Sequence, residues 1–547
     1  MPDTIVIGID GATYDLIDPW VQDGKLPNFA RYLEEGVSSE LETTYPPLTA
    51  PAWVSFMTGC NPGRHGVYDF LSSDDDSSEV VDHNSIKTDT LWSILSSQNR
   101  RQGLVNVPVT FPPPEVEGHV LSGSLSSSDP TESGHPSDLI EQLEQEVDRD
   151  WWYHDTSGQT PSKPLQYFQE HYDKNEAMAE YTLHMLEEYD YEFFMVLFDL
   201  VDSISHFFWH YMDETHPYHE ERGEEFSDAI LKAYQFIDDF LGQLDEKIGP
   251  DTDVVLMSDH GFGPIEYMVN LNNFFRERGL LEMKKGPSTL IKQGLRRLGI
   301  TPTRLVKMAE TVGLDFLAFA LPKSLRNQII GAMGDYSDVN WDQTVCYSKG
   351  HMGQVHLTEQ YKSEPELYRE KREEVARELR ENLRHPETDE PVISEIYFRE
   401  EIYEGPYLED APDLFLEMMD FRCIAYPLFS GGKDLFIRHI QEGRYANHRM
   451  NGIFCGRGPS FEAGNRFTGA SIVDLAPTLL YLQDLPVHQN MDGTLLEEAL
   501  TDERLQDSPP ERKDYDLGDE PSDGDFPDDD SAQKEARERL EGLGYLG

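Results

Sequence analysis

An α/β fold, built on a mostly parallel, doubly wound sheet with helices on both faces, is predicted by two observations. The first is a repeated grammar: TIVIGIDG (Thr4–Gly11), FFMVLFDLVD (Phe193–Asp202) and DVVLMSDHG (Asp253–Gly261) are each an apolar run that ends in an acid. Such runs read as buried parallel strands, and ligands of open α/β sheets bind beyond the carboxyl ends of those strands. Asp10, Asp202 and Asp259 are therefore expected on one edge of one sheet. The second is what lies between them. Asn175–Tyr189 and Phe226–Ile248 carry apolar residues at three- and four-residue intervals, the pattern of helices that cover sheet faces.

Along the chain, the first strand comes at once and Asp10 falls at its end. Next, LTAPAWVSFMTGCNPGRHG (Leu48–Gly66) predicts a short helix, with Thr49 as N-cap, Pro51 in the first turn and Gly59 at the close. A hydroxyl at a helix N-terminus is either a cap or a group facing a phosphate or sulfate held by free N–H groups. DSISH (Asp202–His206) spaces an acid and an imidazole by four, which places both on one face of a helical turn. His210 continues that series beside Phe207, Phe208 and Trp209 and reads as a packed helix face. SDHG (Ser258–Gly261) sets Asp259 and His260 side by side at a strand end, where Gly261 permits a turn. His448, in NHRMNG (Asn447–Gly452), reads as a loop histidine.

Residues 1–270 and 341–505 are expected to form the catalytic domain. The intervening 271–340 differs: from Lys284 to Arg326 it holds nine basic residues and two acidic ones, Glu310 and Asp315, plus the apolar DFLAFALP (Asp315–Pro322). It is expected to be an inserted helical cap. Either its basic residues pair with the acidic body, or they guide anionic substrates or touch a membrane surface. Ser471–Leu485 reads as a helix returning to the core, 506–531 as an acidic disordered linker, and 532–547 as a short C-terminal helix.

The 547 residues carry 103 acids against 45 basic residues, a formal net charge of −58. A polyanion of this kind is not expected to bind a nucleic-acid polymer. With 38% hydrophobic and 11% aromatic residues, the chain still has enough apolar surface for a large core. The four cysteines have no metal-ligand spacing and read as reduced. With no signal-peptide pattern and no apolar run of spanning length, a cytoplasmic location is expected. Oligomeric state is not legible.

Three carboxylates, three imidazoles and one hydroxyl (Asp10, Asp202, Asp259; His206, His260, His448; Thr49) make a donor set suited to two divalent ions. Zinc is expected, with manganese or iron as alternatives. In order and spacing these segments resemble the type I phosphodiesterase/nucleotide pyrophosphatase family of the alkaline phosphatase superfamily, as an acidic member of the haloarchaeal type. The carriers are Asp10 ending the first strand, Thr49 nine residues ahead of Thr58–Gly59, the DxxxH of Asp202 and His206, the SDHG, and the late His448. The resemblance implies one ion on Asp10, Thr49, Asp259 and His260, and a second on Asp202, His206 and His448. It also implies Thr49 as a nucleophile that forms a covalent phospho-threonine on a small anionic phosphoester. A phosphomonoesterase or phosphotransferase on the same platform is the alternative reading, and an inert binding protein a more distant one.

The acids are spread over the whole chain, which predicts a salt-requiring protein. It is expected to be unfolded in dilute buffer and folded in molar salt by circular dichroism. Equal denaturation midpoints in both media would count against that.

Overall fold

The computed structural model of the chain describes residues 1–72, 79–123, 130–149, 163–219, 225–284, 336–426, 435–437 and 444–515, with 533, 536, 537 and 540 of the tail. Most of the expected cap (285–335), much of the expected linker (516–531) and most of the expected C-terminal helix lie outside the described residues. The chain divides into two compact units. One comprises residues 1–264, 400–411 and 441–546, the other 265–399 and 412–440.

In the first unit the strands are β1 (Thr4–Ile9), β2 (Val37–Glu42), β3 (Gln102–Val107), β4 (Gly118–Ser122), β5 (Gly134–His135), β6 (Phe193–Phe198), β7 (Asp253–Met257) and β8 (Gly261–Pro264). The second unit holds β9 (Tyr267–Val269), β10 (Cys346–Ser348), β11 (Gln354–Leu357), β12 (Ile393–Phe398), β13 (Leu414–Met418), β14 (Cys423–Ala425) and β15 (Phe436–Ile437). The chain then returns to the first unit with β16 (Ala446–Arg449), β17 (Asn451–Arg457), β18 (Asn465–Arg466), β19 (Ala470–Ser471), β20 (Val487–His488) and β21 (Arg512–Lys513).

The predicted α/β sheet is present. Its strand order is β18-β2-β17-β7-β1-β6-β3-β4-β5, with β19 also on β2. The central run β7-β1-β6-β3-β4 is parallel throughout, while β17 runs antiparallel to both β7 and β2. Because a strand alternates its faces, Ile5, Ile7 and Ile9 enter one core and Val6 enters another. The first core is covered by helices Tyr14–Gln22, Pro164–Glu188, Leu200–Met212 and Ala229–Asp245, the second by Thr49–Thr58, Leu91–Ser97 and Leu475–Leu482. Helices therefore cover both faces, as the periodicity predicts.

Gly8 shows how closely the second layer sits. A Cβ there would lie 2.8 Å from the Trp53 ring and 2.6 Å from Leu197 Cδ1, so the indole rests on bare backbone. Trp53 is fully buried and edge-on to Phe56, with centroids 5.6 Å apart. In the second unit, the antiparallel sheet β10-β11-β13-β12 shares a core with helix Pro365–Asn382, whose Val375, Ala376 and Leu379 are buried. Arg512–Lys513, within the stretch read as a linker, pairs in parallel with Val487–His488. No helix among the described residues is long and apolar enough to cross a membrane.

Trp53→Ala is expected to lower the unfolding free energy by about 3–5 kcal/mol, the usual cost of emptying a large aromatic site. Chemical denaturation reads this, and a loss below about 1 kcal/mol would show that the indole is not a core group.

Candidate active site

The site is assembled at the carboxyl ends of β1, β6 and β7. Asp10 is the first residue past β1, and its N–H donates to Phe198 O at 3.0 Å, holding the two strand ends level. Gly11 follows with φ +74°, where an added Cβ would meet Asp202 Cα at 3.1 Å and the Phe262 ring at 3.0 Å. Only glycine combines that backbone conformation with that approach. Ala12 N–H donates to Ser258 Oγ (2.9 Å), and Ser258 Oγ–H donates to His260 O (2.7 Å). One buried hydroxyl thus ties the turn after β1 to the turn after β7, which carries Asp259 and His260. Ser258 was legible as part of SDHG, but its role depends on a partner 246 residues away.

Asp202 does not end a strand, contrary to the reading of Phe193–Asp202 as one element. β6 stops at Phe198, and Asp202 lies in the first turn of helix Leu200–Met212. The four-residue spacing brings His206 Nε2 to 3.4 Å from Asp202 Oδ1. His448 is not on a loop either. It sits on β16, opposite Phe262 of β8 in an antiparallel pair. Its Nε2 is 3.3 Å from Asp202 Oδ1 and 3.2 Å from His206 Nε2, and its ring stacks on His260 with centroids 3.5 Å apart. His260 Nε2 in turn lies 3.4 Å from Asp10 Oδ1, 3.3 Å from Asp259 Oδ2 and 3.2 Å from Thr49 Oγ1.

Thr49 is the first residue of helix Thr49–Thr58, and the cap position belongs to Leu48, in extended conformation. The expected N-cap bond is absent: the Thr49 hydroxyl contacts His260 instead. All seven residues singled out in the sequence are thereby brought together. Asp10, Asp259 and His260 form one cluster of donor atoms, and Asp202, His206 and His448 a second. His210 stays outside both, buried against Tyr445 with ring centroids 3.6 Å apart.

Each imidazole has its tautomer set by a backbone carbonyl, which can only accept. His206 Nδ1–H donates to Ala446 O (2.8 Å), His448 Nδ1–H to Pro47 O (3.0 Å) and His260 Nδ1–H to Gly261 O (3.1 Å). All three Nε2 atoms therefore present lone pairs toward the facing acids. Among the described residues, the only buried aspartate oxygens without a hydrogen-bond partner are Asp10 Oδ1, Asp202 Oδ1 and both oxygens of Asp259. Bare acceptors packed 3.2–3.4 Å apart repel one another unless positive charge sits among them.

The local electrostatics follow. Burial, with Asp259 and Asp202 nearby, pushes the Asp10 carboxyl well above the usual range. Burial and then Asp202 raise Asp259 likewise. Burial also pushes Asp202 upward, and that carboxyl is held well below its usual range only when the facing His206 and His448 carry positive charge. Burial, assisted by Arg444, brings His206 down to about 4, and burial beside His448 lowers His260 strongly. A divalent cation in each cluster would supply the charge that lets all three acids ionise. The donor set fits such ions.

The family model described as type I phosphodiesterase / nucleotide pyrophosphatase matches residues 4–424, a span that holds six of the seven site residues and ends before His448. No curated protein sequence matches the chain. Among solved structures, the chain is similar to human ectonucleotide pyrophosphatase/phosphodiesterase 5, at 13% identity and TM-score 0.47, covering 92% of this chain and 99% of that one. It is similar to the murine protein at 13% identity and TM-score 0.48, covering 91% and 100%. An inactive variant of the murine protein in complex with AMP matches at 14% identity and TM-score 0.47, covering 92% and 100%.

Ser258→Ala leaves the Ala12 N–H and the His260 carbonyl without their buried partner. The expected cost is about 1–3 kcal/mol of stability in chemical denaturation; an unchanged midpoint would mean the tie contributes nothing.

Proposed function

The chain belongs to the type I phosphodiesterase/nucleotide pyrophosphatase family, and from that premise we propose that Thr49 is the nucleophile of a two-ion phosphodiesterase reaction. As a member of the family it is a hydrolase acting on phosphoester bonds. What supports the finer reading is the convergence of three imidazole Nε2 atoms that carry no hydrogen and four carboxyl oxygens without a hydrogen-bond partner beside the Thr49 hydroxyl.

In this reading one ion is held by Asp10, Thr49, Asp259 and His260, and the other by Asp202, His206 and His448. Zinc suits these donors, with manganese or iron able to replace it. The chemistry such ions supply when bound is Lewis acidity, which neutralises phosphate charge and acidifies a hydroxyl or water.

The chain does the rest. Helix Thr49–Thr58 begins at the nucleophile, so the N–H groups of its first turn have no intrahelical acceptor and face an incoming phosphate. Thr49 Oγ1 attacks phosphorus and the bond to the leaving oxygen breaks. The Thr49 proton ends on that oxygen, releasing an alcohol and leaving a phospho-threonine. Water then attacks the same phosphorus, the P–Oγ1 bond breaks, and a proton returns to Thr49. The carbonyls of Ala446, Pro47 and Gly261 keep the three rings oriented, so no side chain has to reorganise during the reaction. The substrate class is a small anionic phosphodiester or nucleotide pyrophosphate.

Thr49→Ala is expected to lower kcat by about 10⁴-fold or more while the protein retains two equivalents of metal. Chelation is expected to abolish turnover of a chromogenic phosphodiester in molar salt, and added zinc or manganese to restore it. Turnover by Thr49→Ala would refute the covalent route. Faster hydrolysis of the matching phosphomonoester would transfer the reading to a phosphomonoesterase.

A further inference from the structure

Behind the second donor cluster lies a group of aromatic and imidazole side chains with no part in the reaction just described. His210 and His216 both pack against Tyr445, the residue next to the carbonyl that orients His206. We propose that His216 is a positioning residue, which sets the geometry of the Asp202–His206–His448 cluster by holding the backbone at Tyr445. The proposal rests on the two-ion reading above.

The argument starts from tautomers. His216 is buried, with 4% of its surface exposed. Its Nε2 lies 2.9 Å from Tyr445 O, an atom that only accepts, so Nε2 carries the hydrogen. Its Nδ1 accepts from Tyr218 N–H at 3.1 Å. Both ring nitrogens are thus satisfied by backbone, and the ring is fixed as a neutral donor toward Tyr445.

Tyr445 is joined to the site on both sides. Its N–H donates to His206 O at 2.7 Å, and the next carbonyl, Ala446 O, accepts from His206 Nδ1–H at 2.8 Å. Two residues beyond Ala446, on the same strand, stands His448. The Tyr445 ring lies against His210, and the His210 carbonyl accepts from His219 Nδ1–H at 2.9 Å. Residues 216–219 therefore grip the stretch that both orients His206 and delivers His448. Neither Asp10 nor Asp259 touches this stretch through any described hydrogen bond. Loss of the His216 donor should consequently loosen one ion and spare the other. Groups bonded directly to a ligand typically contribute about 10–100-fold to metal affinity, and His216 acts one link further out, so a loss at the lower end, about 10-fold, is expected.

The test is a calorimetric titration of zinc into the metal-stripped full-length protein. Wild type, His448→Ala, His216→Phe and His216→Gln are compared. Phe keeps a buried ring without a donor, and Gln offers an N–H at similar reach. Two binding steps are expected for wild type, with one step lost in His448→Ala. His216→Phe is expected to weaken that same step about 10-fold and leave the other within about 3-fold, and His216→Gln to recover most of the loss. The proposal is overturned if His216→Phe titrates like wild type, if both steps weaken equally, or if Gln is no better than Phe. Fewer than two steps in wild type would instead sink the two-ion reading.

Discussion

Three imidazole nitrogens stripped of hydrogen and four carboxylate oxygens without donors share one buried volume, and their mutual repulsion governs the rest of the site. Elsewhere in the same unit, buried acids are satisfied within the fold. Asp238 accepts from the N–H groups of Asn28 and Phe29 at 2.9 and 2.8 Å, at the start of a helix whose own cap residue, Leu26, makes no side-chain bond. Asp253 accepts from Ser460 N–H at 3.0 Å. The half-buried Asp245 meets Arg457 Nη1 at 2.9 Å. At the site, Asp10 Oδ1, Asp202 Oδ1 and both oxygens of Asp259 have no such partners, so the balance of charge there is left to whatever enters.

Holding such a donor set together requires rigid support, and the parallel sheet supplies it. β1 lies between β6 and β7 in unbroken parallel register, so the three chain ends leave the sheet side by side. Gly11 allows the first end to lie against Asp202, and Ser258 locks it to the turn that carries His260. The last imidazole arrives differently. β16 pairs with β8 immediately after the SDHG turn, so His448 reaches the site by antiparallel pairing with the strand that follows His260. The same arrangement stacks the His448 and His260 rings and brings the two donor clusters side by side.

The extreme surface charge and the acidic site are separate matters. The net −58 belongs to residues spread along the whole chain and bears on solvent and salt. The site acids are buried, and their behaviour is set by desolvation and by one another. A chain with this composition can therefore repel polyanions at long range while its buried acids answer only to their immediate surroundings.

What the sequence determined by itself was local and periodic. Apolar runs ending in acids marked the parallel strands and the edge where the acids gather, three- and four-residue periodicity marked the covering helices, and the i, i+4 spacing of Asp202 and His206 put both on one helical face. Of the seven residues that the fold brings together at the site, six were legible from short, ordered patterns, while His448 stood alone in its segment. Element ends were less so: nothing in FFMVLFDLVD says that the strand stops at Phe198, since strand and buried helix are both apolar there. Only the tertiary structure decided that Thr49 leaves its helix uncapped, that Trp53 packs on the bare backbone of Gly8, and that His448 belongs to a strand. Each of those outcomes depends on a partner hundreds of residues away or on an opposing sheet face, and pairings between remote segments leave no periodicity within the segments themselves.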